Sequence, residues 1–201
     1  MKTEPQKDDA AARIVSPPEW ELTPRRMEDL FLDFHLALCR PLPDECEWPD
    51  WIAAFRSDLL ETDEGVQAFF LVGRGEDEVR GWVRAEMKHI DGGWRPPPAP
   101  FLSNLIVLPK WRGRGYGGFL LRRGENYFRS RGNKEVYLTC DVGIAPWYAR
   151  QGYETCTPTT EGGHAWMEAG LYLQRKSLDL RKRPPPRVKV LRGDDLSACL
   201  L

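Results

Sequence analysis

The sequence has no Cys-x-x-Cys pair, and its five cysteines (Cys39, Cys46, Cys140, Cys156, Cys199) are scattered and odd in number. Neither a thiolate zinc site nor a disulfide framework is supported, and the pattern reads as reduced thiols in a cytoplasmic or nuclear protein. No stretch reaches the roughly 18 consecutive apolar residues of a membrane helix, and MKTEPQKDDAA lacks the apolar core of an export leader. Gly-Lys-Ser/Thr does not occur, which excludes a Walker phosphate loop. There is no internal repeat. Net charge is also scarce, −1 over 201 residues, too little for a generic nucleic-acid coat.

That mean conceals a gradient. Met1 to Glu64 carries 16 acidic against 7 basic residues, whereas Arg175 to Arg192 has eight basic residues opposed by Asp179 alone. Residues 1–19 have few large apolar groups and read as a flexible arm with one short strand at Arg13 to Val15. Residues 20–176 read as one domain, and 177–201 as a basic, disordered tail. Thr23-Pro24 is a helix start, with Leu30, Phe31, Phe34, Leu36 and Leu38 on its apolar face, and Pro41 ends it. A second helix begins at Pro49 and carries Trp51, Ile52, Phe55, Leu59 and Leu60.

The period then changes. Ala68 to Val72 and Val79 to Lys88 read as strands, and the proline-rich Gly92 to Pro100 as a stiff loop. Phe101 to Leu108, nearly continuous in apolar residues, reads as a central strand covered on both faces. A helix to Gly132, a strand Glu135 to Val142, a short helix Ala145 to Gln151, and strands at Tyr153 to Cys156 and His164 to Leu173 complete the pattern. Together these elements predict an α+β sandwich on one large mixed sheet.

The most informative segment joins the central strand to its helix. Gly113, Gly115 and Gly117 allow a tight turn whose N–H groups converge ahead of a helix N-terminus, an anion hole. Arg112, Arg114 and nearby Lys110 add full charges, which suits a diphosphate better than a single carboxylate. A dinucleotide site would place its glycines in the first βαβ unit, but here they follow three strands.

Val107-x-Pro109-x-x-Arg112-Gly113-Arg114-Gly115-Tyr116-Gly117 resembles the acyl-CoA-binding motif of the GNAT superfamily of N-acetyltransferases. Trp147-Tyr148-Ala149-Arg150-Gln151-Gly152-Tyr153, about 30 residues on, resembles that superfamily's second motif. The resemblance runs from about Glu19 to Arg175. It implies a GNAT-like three-layer α/β/α fold whose mixed, mostly antiparallel sheet is splayed at an acetyl-CoA cleft. It also implies acetyl-CoA as cosubstrate and no metal. The pyrophosphate would sit on the N–H groups of Arg112 to Gly117, and pantetheine would pair along Ile106, Val107 and Leu108 as an added strand. The Val107 N–H would face the oxyanion.

The resemblance places Tyr148 as the acid for the departing thiolate, a role a phenol can fill. The base departs from the pattern. Many relatives carry Glu nine residues before the motif arginine, and here that position is Ser103, followed by Asn104. The alternatives are Glu86, Asp141, His164 or an ordered water, and Glu86 leads because alternation along Trp82 to Lys88 can aim it into the cleft. Cys140 has no histidine beside it and reads as a buried thiol.

The expected activity is acetyl transfer to a primary amine, by a monomer or homodimer with no membrane or nucleic-acid partner. Asp44, Glu45, Glu47 and Asp50 beside Trp48 and Trp51 would suit a small cationic amine. The strand ending His164-Ala-Trp-Met-Glu168, with Leu138-Thr139-x-Asp141, is similar to actin-type N-terminal acetyltransferases and points instead to a protein N-terminus. The missing glutamate leaves a third reading, an acyl-CoA-binding scaffold without turnover.

Overall fold

The computed structural model describes residues 12–15, 24–37, 48–60, 66–73, 78–90, 98–156 and 171–179. In chain order these form β1 (Arg13–Val15), α1 (Pro24–Ala37), α2 (Trp48–Leu60), β2 (Gln67–Val72), β3 (Val79–Lys88) and β4 (Ala99–Val107). A tight helical turn at Pro109–Trp111 leads into α3 (Tyr116–Ser130), β5 (Glu135–Cys140), α4 (Ala145–Arg150), β6 (Glu154–Thr155) and β7 (Tyr172–Ser177). The strands make one sheet in the order β1-β2-β3-β4-β5-β7-β6, antiparallel throughout except where β4 meets β5. The predicted α+β architecture and the central place of β4 are both present.

Side-chain alternation along the strands builds two cores. Ala68, Phe70, Val72, Trp82 and Ile106 pack with Met27, Leu30 and Phe31 of α1 and Phe55 of α2. Phe69, Leu71, Val83, Ala85 and Leu102 face the opposite way, onto Leu120, Leu121 and Phe128 of α3 and Tyr148 of α4. Three layers result. In α3 the buried residues 120, 121, 124, 125 and 128 recur at helical spacing, and a Cβ on Gly124 would collide with Leu102, so the helix lies close on β4.

A register change shapes the centre of the sheet. Gly81 stands opposite Val107 and Trp82 opposite Ile106, but Arg84 stands opposite Ser103, so β4 holds one residue more than β3 over that interval. Asn104 absorbs it with φ 49°, in the left-handed region. On its other side, β4 has one residue in register with β5 among the described residues, Phe101 with Tyr137. Toward their C-terminal ends the two parallel strands part.

β1, placed within the arm, pairs with β2 and buries Val15, so it belongs to the sheet. Past Lys176, Ser177 still belongs to β7 and Leu178 is 2% exposed, its N–H donating to the Lys134 carbonyl. β5 stops at Cys140, leaving Val142 exposed in the following turn. Among the described residues a strand runs over Tyr172–Ser177, past the end of the one read at His164 to Leu173, whose residues 164–170 lie outside the described set. Its inward positions include Gln174 and Lys176, both buried, which hides the apolar period that would have marked it.

Lys176 is buried because it is paired. Its Nζ donates to Glu125 Oε1 of α3 at 2.7 Å, and Glu125 is 1% exposed. Removing one member of a buried pair strands the other charge. Glu125→Leu alone and Lys176→Met alone should each cost about 3 kcal/mol, and the double replacement should recover most of the loss. Urea denaturation of the four proteins at neutral pH measures this; additive losses in the double variant would refute it.

Candidate functional site

The turn between β4 and α3 depends on two glycines in the left-handed region, Gly113 at φ 77° and Gly115 at φ 81°. A Cβ at either would meet nothing within 4 Å, so backbone conformation rather than crowding requires glycine and the turn is open outward. Gly115 caps α3, and the first bond into the helix is Phe119 N–H to the Gly115 carbonyl at 3.2 Å. N–H groups of the first turn therefore project from the helix end, at the positive pole of the helix dipole. No acidic residue occupies that first turn to compete for the place.

The basic residues around this turn are held in different ways. Arg112 turns back, its Nε donating to the Val107 carbonyl at 3.1 Å and tying the turn to the end of β4. The Arg114 guanidinium lies 4.9 Å from the centroid of the Trp111 ring, and Lys110 Nζ lies 3.5 Å from Glu78 Oε1. Beneath them sits Arg80, 3% exposed, which sequence reasoning missed because an arginine in an alternating strand reads as solvent-facing. Its Nη1 donates to the Tyr116 hydroxyl at 2.7 Å, and its guanidinium lies 4.0 Å from the Trp111 ring centroid. Arg80 thus forms the floor of the turn.

Peptide planarity fixes what the parted strands present to the gap, since each C=O is anti to the following N–H. Leu108 N–H donates to the Arg80 carbonyl at 3.0 Å on the β3 side, so the Val107 carbonyl points toward β5, where Arg112 takes it. The Ile106 carbonyl is turned to β3, where a Cβ on Gly81 would collide with it, so the Val107 N–H also points toward β5. Of the three strand residues implied by the resemblance, Val107 is thus the one whose own N–H and carbonyl both face the gap. Ile106 and Leu108 bury their side chains in the α1/α2 core.

Tyr148, on α4, is 6% exposed. Its ring packs edge-on against Tyr153 at 5.7 Å and against Trp147 at 4.8 Å. Burial, with a smaller contribution from Cys140, pushes its phenol well above the usual tyrosine range. The hydroxyl therefore stays protonated at neutral pH. Tyr153 donates to Glu125 Oε1 at 3.3 Å, which links the Tyr148 wall to the buried Lys176–Glu125 pair.

Of the base candidates, Glu86 lies beside Ser103, which donates from Oγ to Glu86 Oε1 at 2.7 Å. Arg84 Nη2 lies 3.5 Å from Glu86 Oε2. Asp141 is exposed in the turn after β5, its carbonyl accepting from Ile144 and Ala145. His164 lies outside the described residues, as do Asp44, Glu45 and Glu47. The buried Cys140 thiol is pushed up to about 11, chiefly by burial, with Asp141 adding to it, so it carries little thiolate at neutral pH. Among the described residues no group of His, Cys, Asp and Glu could hold a metal ion, and no helix is long and apolar enough to cross a membrane.

The model of the acetyltransferase (GNAT) family matches residues 25–153. An Escherichia coli (strain K12) protein described as the uncharacterized N-acetyltransferase YjhQ is 31% identical over 100 residues, 50% of this chain and 54% of that relative. The chain thus spans about half the length of the curated relative it matches. Among solved structures, the GNAT family N-acetyltransferase YhbS of Escherichia coli, in complex with CoA, aligns with a TM-score of 0.51 and 17% identity. That alignment covers 84% of this chain and 82% of YhbS. The ribosomal-protein-S18-alanine N-acetyltransferase of Escherichia coli aligns with a TM-score of 0.55 and 17% identity, covering 83% and 94% of the two chains. At these identities the structural likeness is one of fold.

Placing a β-branched residue at φ 81° costs about 1–3 kcal/mol and misdirects the turn. Gly115→Val should therefore weaken CoA binding about tenfold or more, read by titration calorimetry. Unchanged affinity would remove the turn from the CoA site.

Proposed function

The chain belongs to the GNAT family of acetyltransferases, and from that premise we propose that it is an acetyl-CoA-dependent N-acetyltransferase acting directly on a primary amine. One observation carries the reading: the gap where β4 and β5 part has the outward-opening α3 turn at its end and the Val107 N–H along its side. Pyrophosphate on the first and thioester carbonyl on the second would place the acyl carbon inside the sheet, reachable from the α1/α2 face. Neither the cationic-amine nor the protein N-terminus reading of the acceptor is carried further, because residues 44–47 and 164–168 lie outside the described set.

In the reaction the acceptor ammonium first gives a proton to Glu86, directly or through a water. The nitrogen lone pair then forms the N–C bond, and the carbonyl oxygen takes negative charge opposite the Val107 N–H. On collapse the C–S bond breaks toward sulfur, and a second nitrogen proton ends on the thiolate. Ammonium and thioester thus become amide, thiol and one released proton. Tyr148 acts here as a hydrogen-bond donor. Its phenol, raised by burial, is a weaker acid than a thiol of about 8.5, so it stabilises the thiolate without surrendering its proton outright.

A scaffold without turnover would suit the serine at position 103. The Ser103–Glu86 hydrogen bond favours the enzyme instead, because it brings a carboxylate within one bond of the vacant role. Thiol release from acetyl-CoA over a panel of amines tests the choice: CoA binding with no turnover on any acceptor would establish the scaffold.

Tyr148→Phe should lower kcat by about 10- to 100-fold while CoA affinity is retained, because the hydrogen bond is made to a developing charge. An unaltered kcat would remove the phenol from the reaction. Glu86→Gln should lower the rate about 100-fold at neutral pH. The deficit should shrink as pH approaches the pKa of the acceptor amine, where bulk solvent already supplies the free base. A deficit of constant size across pH would argue that Glu86 holds structure rather than a proton.

A further inference from the structure

On β3 the side chains of Arg84, Glu86 and Lys88 share the face of Trp82, which packs in the α1/α2 core. The strip reads positive, negative, positive. Its middle residue, Glu86, is in register with Phe101, where β4 meets β5, and Arg84, opposite Ser103, stands on the side toward which those strands part. Arg84 Nη2 and Glu86 Oε2 are 3.5 Å apart with side chains 13% and 16% exposed, so both are largely withdrawn from water yet reachable. Lys88 Nζ stands 5.0 Å from the Phe101 ring centroid on the far side of Glu86.

Two other charged groups on this side of the sheet, Glu135 and Asp33, have partners away from the strip. Glu135 of β5 accepts from the Tyr137 hydroxyl at 2.9 Å and lies 4.0 Å from Arg175. Asp33 of α1, raised by burial, interacts with Lys110 beyond the opposite end of β4 and with Asp29. When Glu86 takes a proton, the strip loses its one negative charge and keeps two cations. An acceptor that brought further positive charge would be repelled at that moment, and one carrying its own carboxylate would restore the balance.

We propose that the acceptor is a free α-amino acid, its ammonium on Glu86 and its carboxylate on Arg84, with Lys88 reinforcing the positive side. The spacing supports this class: a cation and an anion 3.5 Å apart complement an ammonium and a carboxylate borne on one carbon. A polyamine lacks the carboxylate, and a peptide N-terminus carries a neutral amide in its place. The inference rests on the transferase reading above and narrows its acceptor.

Steady-state kinetics of the full chain at saturating acetyl-CoA test it, with α-amino acids, their α-carboxamides, the decarboxylated amines, a polyamine and N-terminal peptides as acceptors. The best amino acid should exceed its own carboxamide and amine by about tenfold or more in kcat/KM, the scale of a hydrogen-bonded charge. In Arg84→Gln that preference should fall below about threefold through a rise in KM for the amino acid alone, while CoA affinity is unchanged. Lys88→Gln, at the other end of the strip, should reduce the preference in the same direction and keeps the test valid if Arg84→Gln fails to fold. Equal or better use of carboxamides, amines, polyamine or peptides, or a preference that survives in the folded variants, overturns the proposal and leaves the transferase reading standing. CoA binding with no turnover on any class would instead overturn the transferase reading itself.

Discussion

One extra residue in β4 governs the centre of this molecule. With Asn104 in the left-handed region, β4 keeps its pairing to β3 on both sides of the bulge but bends out of line with β5. A parallel ladder interrupted in the middle of a sheet leaves backbone groups that must be answered by something other than a strand. The Val107 carbonyl is answered by Arg112, and the Val107 N–H is left directed at the gap. The opening, the donor that would meet an oxyanion and the access from the α1/α2 face all follow from that displacement.

An interrupted sheet needs firm walls, and the buried charges are placed to supply them. Arg80 fixes Tyr116 and Trp111 under the α3 turn from the β3 side. Lys176 and Glu125 join β7 to α3, and Tyr153 extends that pair to the ring of Tyr148. Each of these charged groups is nearly inaccessible to water and has a partner, as burial demands. The Arg84–Glu86 pair is different, because its side chains keep 13% and 16% of their exposure and its anion is shared with Ser103. A charge pair that water can reach can change partners, as the proposed base would have to.

The helices and most strands were legible because their signals are local. Apolar positions 30, 31 and 34, or 120, 121 and 128, repeat at helical spacing, and alternation over Val79 to Lys88 marks β3 to the residue. The glycine turn was legible for the same reason, since Gly113 and Gly115 stand between an apolar run and a helix within a few residues. The run of β7 on to Ser177 was missed because Gln174 and Lys176 point inward, and their partners Thr155 and Glu125 come from elsewhere in the chain. Arg80 was not read, since its burial depends on Tyr116 and Trp111, which come from beyond β4 to cover it.

By itself the sequence determined most of the elements, the glycine turn ahead of α3 and the resemblance to a family, all properties of residues within a few positions of one another. Tertiary structure decided which carboxylate stands beside Ser103. Ser103 and Glu86 are 17 positions apart and meet because β3 and β4 pair in one register, shifted by one residue at Asn104. A shift of one residue turns a strand's side chains to the other face, and no local pattern encodes it, because register is set by what lies across the ladder.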